Sequence, residues 1–195
     1  MSLIVRPYSA KDLDAVHQLC VMTAPHRVRS ESRRLFLFKS SCDYYLDCEP
    51  ENCFVAVQTA EDGTEKAVGC VLCAEDCEKY AKRFMDKYVP KIKEYSKLNA
   101  YIARTDVLMF GKFATFFPSH IRLNVLPEAD SGETYTALLD TVRAHLTEKH
   151  SKGMLVISEK KNKTSAAFYE AYGFSRLGDV GSGTAYGMDL LNILN

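Results

Sequence analysis

Seven cysteines stand out among the groups able to do chemistry: Cys20, Cys42, Cys48, Cys53, Cys70, Cys73 and Cys77. Cys70-x-x-Cys73-x-x-x-Cys77 has a spacing used by metal and cluster sites. Cys70 and Cys73 nevertheless lie in the apolar run Ala67 to Ala74, and residues three apart on a strand face opposite sides. No His stands nearby in the sequence to complete a zinc set. The expectation is reduced, mostly buried thiols and no metal. His120 has an intrinsic pKa suited to proton transfer near neutrality, although a lone strand histidine is more often structural. Tyr169 offers a phenol, which on an amphipathic helix equally packs its ring and leaves its hydroxyl at the surface. Asn162 precedes that helix and is of the type that caps one. Arg27, Arg29, Arg33 and Arg34 cluster but are interrupted by Glu31, so a solvated helix face is expected.

The chain that must position these groups has 195 residues, with 25 Lys and Arg against 25 Asp and Glu. A net charge of zero argues against a global basic field for nucleic acid or an anionic membrane. No apolar run of transmembrane length occurs, and the opening MSLIVRPYSA lacks a signal-peptide core. A cytoplasmic protein folded as one domain over residues 1–195 is expected. At this size about 70% of the unfolded surface is buried without disulfide or metal.

Leu3 to Pro7 reads as a short strand, and Ser9-Ala10-Lys11-Asp12 as a capping box opening a helix over about 10–22. A second helix is expected from Ser30 to Leu46. A hairpin follows, Cys53 to Gln58 and Lys66 to Ala74, joined at Asp62-Gly63. Residues 76–118 mix aromatics with lysines and read as two or three helices broken at Pro90, an insertion or flank. His120 to Leu126 alternates as a strand. The clearest helix covers about 132–150, with Tyr135, Leu138, Leu139, Val142 and Leu146 on one face. Met154 to Ser158 is a strand, and Thr164 to Tyr172 a helix closed by Gly173. Phe174 to Leu177 and Gly183 to Leu190 complete a mixed α/β set.

Two segments, IRLNVLPEADSGETYTALL from Ile121 to Leu139 and NKTSAAFYEAYGF from Asn162 to Phe174, resemble the cofactor-binding part of the GNAT superfamily. These are acyl-CoA-dependent N-acyltransferases. The opening IVRPYSAKDLDAVHQLC is similar to the usual GNAT start, and the order of elements agrees along almost the whole chain. The central and C-terminal parts more weakly resemble a bacterial subgroup similar to the acetyltransferase-like domain of O-GlcNAc hydrolases. The resemblance implies a mixed, mostly antiparallel sheet with flanking helices, residues 76–118 forming a helical insertion.

It also implies roles. Backbone groups of Val125 and Leu126, on a central strand that splays from its neighbour, would bind the acetyl and pantetheine amides of acetyl-CoA. The following loop, Gln/Arg-x-x-Gly-x-Gly/Ala in the family, would close its N–H groups on the pyrophosphate at a helix N-terminus. That loop falls here on Asp130, Ser131, Gly132, Glu133, Thr134 and Tyr135. Asp130, Glu133 and Tyr135 depart from the pattern, and Gly132 stands one place early. Two carboxylates oppose a pyrophosphate by repulsion, which weakens cofactor binding. Asn162 would bond the pantetheine arm. Tyr169, seven residues on, would protonate the departing thiolate. His120 is a candidate base for the amine proton, Glu128 another, and Asn124 at most orients substrate.

Two functions follow. One is acetyl transfer from acetyl-CoA to a small-molecule or protein amine, with homodimerisation through the C-terminal strands an option of the family. The other is a catalytically degenerate GNAT fold that binds a ligand or partner.

Overall fold

The computed structural model describes residues 2–24, 28, 30–129 and 132–191. By their contacts the residues gather into two units, Met1–Cys73 with Leu123–Val142, and Ala74–Arg122 with Arg143–Asn195.

In the first unit, β1 (Ser2–Pro7) pairs antiparallel with β2 (Phe54–Thr59), and β2 with β3 (Glu65–Ala74). The expected Asp-Gly turn joins β2 to β3, with Gly63 at φ +82°. Asp62 Oδ1 accepts from Thr64 N at 2.9 Å, a bond that presets the turn. The capping box is present: Ser9 N donates to Asp12 Oδ2 at 2.9 Å. Arg6 clasps the same carboxylate with two 2.8 Å bonds, tying β1 to the start of α1 (Leu13–Thr23). The single helix expected over 30–46 is two, α2 (Glu31–Ser41) and α3 (Asp43–Cys48). Cys42 leaves helical geometry between them at φ −133°, ψ −61°. That break lets Tyr44, Tyr45 and Leu46 bury together, whereas α2 buries no residue fully.

The second unit begins with the insertion, whose three helices are α4 (Cys77–Lys87), α5 (Val89–Tyr95) and α6 (Lys97–Gly111). Pro90 sits in the first turn of α5, where its missing N–H costs nothing, so it starts a helix instead of ending one. Asp76 and Ser96 cap α4 and α6. Tyr80, Phe84, Tyr88, Ile92 and Phe110 are buried, the aromatics alternating with exposed lysines as helical periodicity requires. After β4 (Ser119–Val125) and α7 (Glu133–Glu148) come β5 (Gly153–Glu159), α8 (Lys163–Tyr172), β6 (Ser175–Val180) and β7 (Gly183–Asp189).

The strands form one seven-stranded sheet in the order β1-β2-β3-β4-β5-β7-β6, antiparallel in most pairings. β4 pairs with β5 in parallel. This is the mixed, mostly antiparallel α/β architecture expected. Among the described residues no helix is long and apolar enough to cross a membrane.

Candidate functional site

The expected cofactor strand is β4. Its ladder with β5 runs from Ser119↔Met154 to Ile121↔Val156. Both strands continue, β4 to Val125 and β5 to Glu159, without further mutual pairing among the described residues. On its other edge β5 stays paired with β7 to its end, Glu159 opposite Gly183. The β4–β5 pairing thus ends at Ile121↔Val156, before either strand does.

The two residues singled out on β4 differ. Val125 is its last residue and is buried. Leu126 N donates to Val68 O at 2.9 Å, and Leu126 O accepts from Ala129 N at 2.9 Å. Leu126 thus spends both peptide groups on its own unit, which corrects the expectation that it serves the cofactor. Gly69 explains the close approach of β3 here. A Cβ at Gly69 would come within 3.1–3.2 Å of Leu138, Val125 and the Asn124 carbonyl.

Asp130 and Ser131 lie outside the described residues. Gly132 has φ +69° and opens α7, with Thr136 N donating to Gly132 O at 2.9 Å. The N–H groups of Glu133 and Thr134 precede that first helical bond, so they face out of the helix start, where an anion is favoured. The Thr134 side chain is buried, Tyr135 half-buried and Glu133 exposed. Glu133 stands in the first turn of α7.

Asn162 caps α8: its Oδ1 accepts from Ser165 N at 3.0 Å. The cap occupies the oxygen and leaves the amide NH2 the chemistry of a donor. Tyr169, two turns on, is 6% exposed. Its ring meets Phe174 edge-on at 5.5 Å and Tyr186 at 5.8 Å. Gly173 ends α8 with φ +111°, and Phe174 N donates to Tyr169 O at 2.9 Å. Sequence reading placed this helix, cap and terminator correctly.

His120 fares differently. It is fully buried, stacked on Phe110 at 4.0 Å and edge-on to Tyr80 at 4.4 Å. Its Nδ1 lies 3.3 Å from Cys77 Sγ. Burial, and then the Arg122 charge, push its pKa well below the usual imidazole value. A neutral ring closed in by aromatics is a packing residue, which argues against His120 as the base. His120 thus approaches Cys77 in space from 43 residues away in the sequence. Cys70 accepts from Asn124 Nδ2 at 3.8 Å.

Asn124 is held by Thr23, whose hydroxyl lies 2.9 Å from Asn124 Oδ1 and 2.8 Å from Leu19 O. Glu128 is exposed and ion-paired with Lys66 at 3.5 Å, a solvated contact worth little. Sequence reasoning missed Asp106. This half-buried acid on α6 has its pKa raised by desolvation against the opposing Arg122 charge. It sits in a segment crowded with aromatics and lysines, where no spacing marks it.

No protein-family model matches the chain, and no curated protein matches it by sequence. Solved structures do. The chain matches the crystal structure of SsHAT over 98% of its length and 100% of that chain, at 23% identity and a TM-score of 0.85. The fold is that of the GNAT acetyltransferases. A chain of the NatC complex bound to Gag peptide and CoA matches over 96% of both chains, at 14% identity and a TM-score of 0.58. A mosquito arylalkylamine N-acetyltransferase-like protein matches over 96% of this chain and 100% of its own, at 12% identity and a TM-score of 0.62. The chain thus shares its overall fold with these structures over nearly its whole extent.

Proposed function

We propose that the protein is an N-acetyltransferase that moves the acetyl group of acetyl-CoA to a primary amine of a small molecule or a protein. The observation that carries this reading is the parting of β4 from β5 after Ile121↔Val156, in a fold shared with N-acetyltransferases. One of those structures is described as bound to CoA.

In this reading the Val125 peptide group holds the thioester carbonyl and polarises it. The Glu133 and Thr134 amides receive the pyrophosphate, and the Asn162 amide donates to the pantetheine arm. A neutral amine attacks the carbonyl carbon, the carbon–sulfur bond breaks, and Tyr169 gives its proton to the departing thiolate. The amine's proton leaves through a base or a water chain.

A second reading, a ligand-binding module without catalysis, is favoured by one observation. Glu133 puts a charge at the helix start where the cofactor needs none. A panel of primary amines with acetyl-CoA, followed by release of free thiol, separates the two. Amine-dependent thiol release that falls in Tyr169→Phe supports transfer. Tight acetyl-CoA binding with no thiol release from any amine supports the module.

A further inference from the structure

His17, Cys42 and Asp43 lie apart from the residues assigned to acetyl transfer. Each presents one ligand atom, and these atoms all lie within 4.8 Å of one another. Among the described residues no other set of three His, Cys, Asp or Glu side chains meets in this way. All three belong to the first unit: His17 stands on α1, while Cys42 and Asp43 occupy the break between α2 and α3. That break, with Cys42 at φ −133°, turns the two side chains toward one place.

We propose that this cluster is a zinc-binding site, with His17 Nε2, Cys42 Sγ and Asp43 Oδ1 as ligands. The donor set suits a borderline cation: one imidazole, one thiolate and one carboxylate. His17 Nε2 and Asp43 Oδ1 already face each other at 2.9 Å, a little less than two ligands of one tetrahedral ion require. The outer partners of such a site are also in place. Lys39 Nζ donates to Asp43 Oδ2 at 2.5 Å, so it orients the carboxylate and leaves Oδ1 toward the histidine. The His17 ring lies flat on Phe38 at 4.0 Å, which sets its plane.

On binding, zinc forms a bond to the Cys42 sulfur and the thiol proton is expelled to solvent. Bound metal would staple α1 to the junction of α2 and α3.

The test uses the full chain, stripped with chelator and titrated with Zn2+ alone and with Co2+ alone. One metal per chain is expected, with release of at least one proton, a rise in thermal midpoint, and a thiolate-to-cobalt absorption band. Cys42→Ser should abolish the band, and His17→Gln should weaken binding by about 10–100-fold. Cys48→Ser, outside the cluster, should change neither. If Cys42→Ser does not fold, Asp43→Asn provides the same reading through lost affinity. No saturable binding below millimolar metal overturns the site. A cobalt–thiolate band that survives both Cys42→Ser and His17→Gln also overturns it, by showing that other thiols hold the metal.

Discussion

Tyr169 and His120 both carry groups able to move protons, and packing separates their prospects. In the proposed reaction the Tyr169 hydroxyl acts only as the carbon–sulfur bond breaks. Tyr169→Phe should therefore lower kcat by about 100-fold, within the usual range for a general acid. Acetyl-CoA affinity should hardly change, and steady-state rates beside a binding titration check both. Unchanged turnover removes Tyr169 from the chemistry. His120 is instead tested by stability. Its folded pKa lies below the unfolded value near 6.5, so the unfolded chain binds the extra proton first. Stability from the neutral ring is full above about pH 6.5 and falls as pH drops below it. His120→Phe, which keeps the stacking on Phe110, should flatten that acid slope in denaturant melts between pH 7 and pH 5. An unaltered slope would show that the buried imidazole is not its source. The sequence named Tyr169 and Asn162 because cap, ring and terminating glycine are neighbours in the chain. It could not reveal the cage around His120, whose walls come from residues 10 and 40 positions away.

At the level of elements, the Arg6–Asp12 clasp and the close packing of β5 carry measurable weight. Asp12 is held down to about 2, first by its bonds from Arg6, against an ordinary 3.8. Its carboxylate therefore stabilises the fold above pH 3.8, and that contribution, about 2 kcal/mol, is lost as pH falls toward 2. Asp12→Asn should lower unfolding free energy by about that amount at pH 7 and leave it little changed at pH 2. Equal losses at both pH values would contradict the ion-pair origin. Gly153 on β5 shows the opposite constraint. A Cβ there would come within 2.8 Å of the Met188 carbonyl and of the Phe117 ring, and 2.9 Å from the Phe116 carbonyl. Gly153→Ala should cost about 1–3 kcal/mol in chemical denaturation, since two of the three neighbours are backbone and cannot turn aside. A neutral substitution would mean that β5 and β7 separate more easily than drawn. Strands and helices were legible from period and turn residues, down to the capping box at Ser9. The break at Cys42 was not, because no Pro or Gly marks it; burial of Tyr44, Tyr45 and Leu46 draws the chain out of helix there.

For the whole molecule, the order of elements was readable from end to end, and the matches to solved N-acetyltransferases agree with it over nearly the full chain. The family resemblance implied a central strand that splays from its neighbour. Composition and periodicity say nothing of where two paired strands separate. Nor could they show that Leu126 closes its hydrogen bonds on Val68 and Ala129. The proposed reaction requires that a loop bearing Glu133 in the first turn of α7 accept a pyrophosphate. Direct calorimetric titration of the purified chain with acetyl-CoA settles this, with dephospho-acetyl-CoA and acetyl-pantetheine as shorter ligands. Acetyl-CoA should bind at micromolar concentration, and affinity should fall steeply when the pyrophosphate is removed. No heat of binding at millimolar acetyl-CoA would contradict the account.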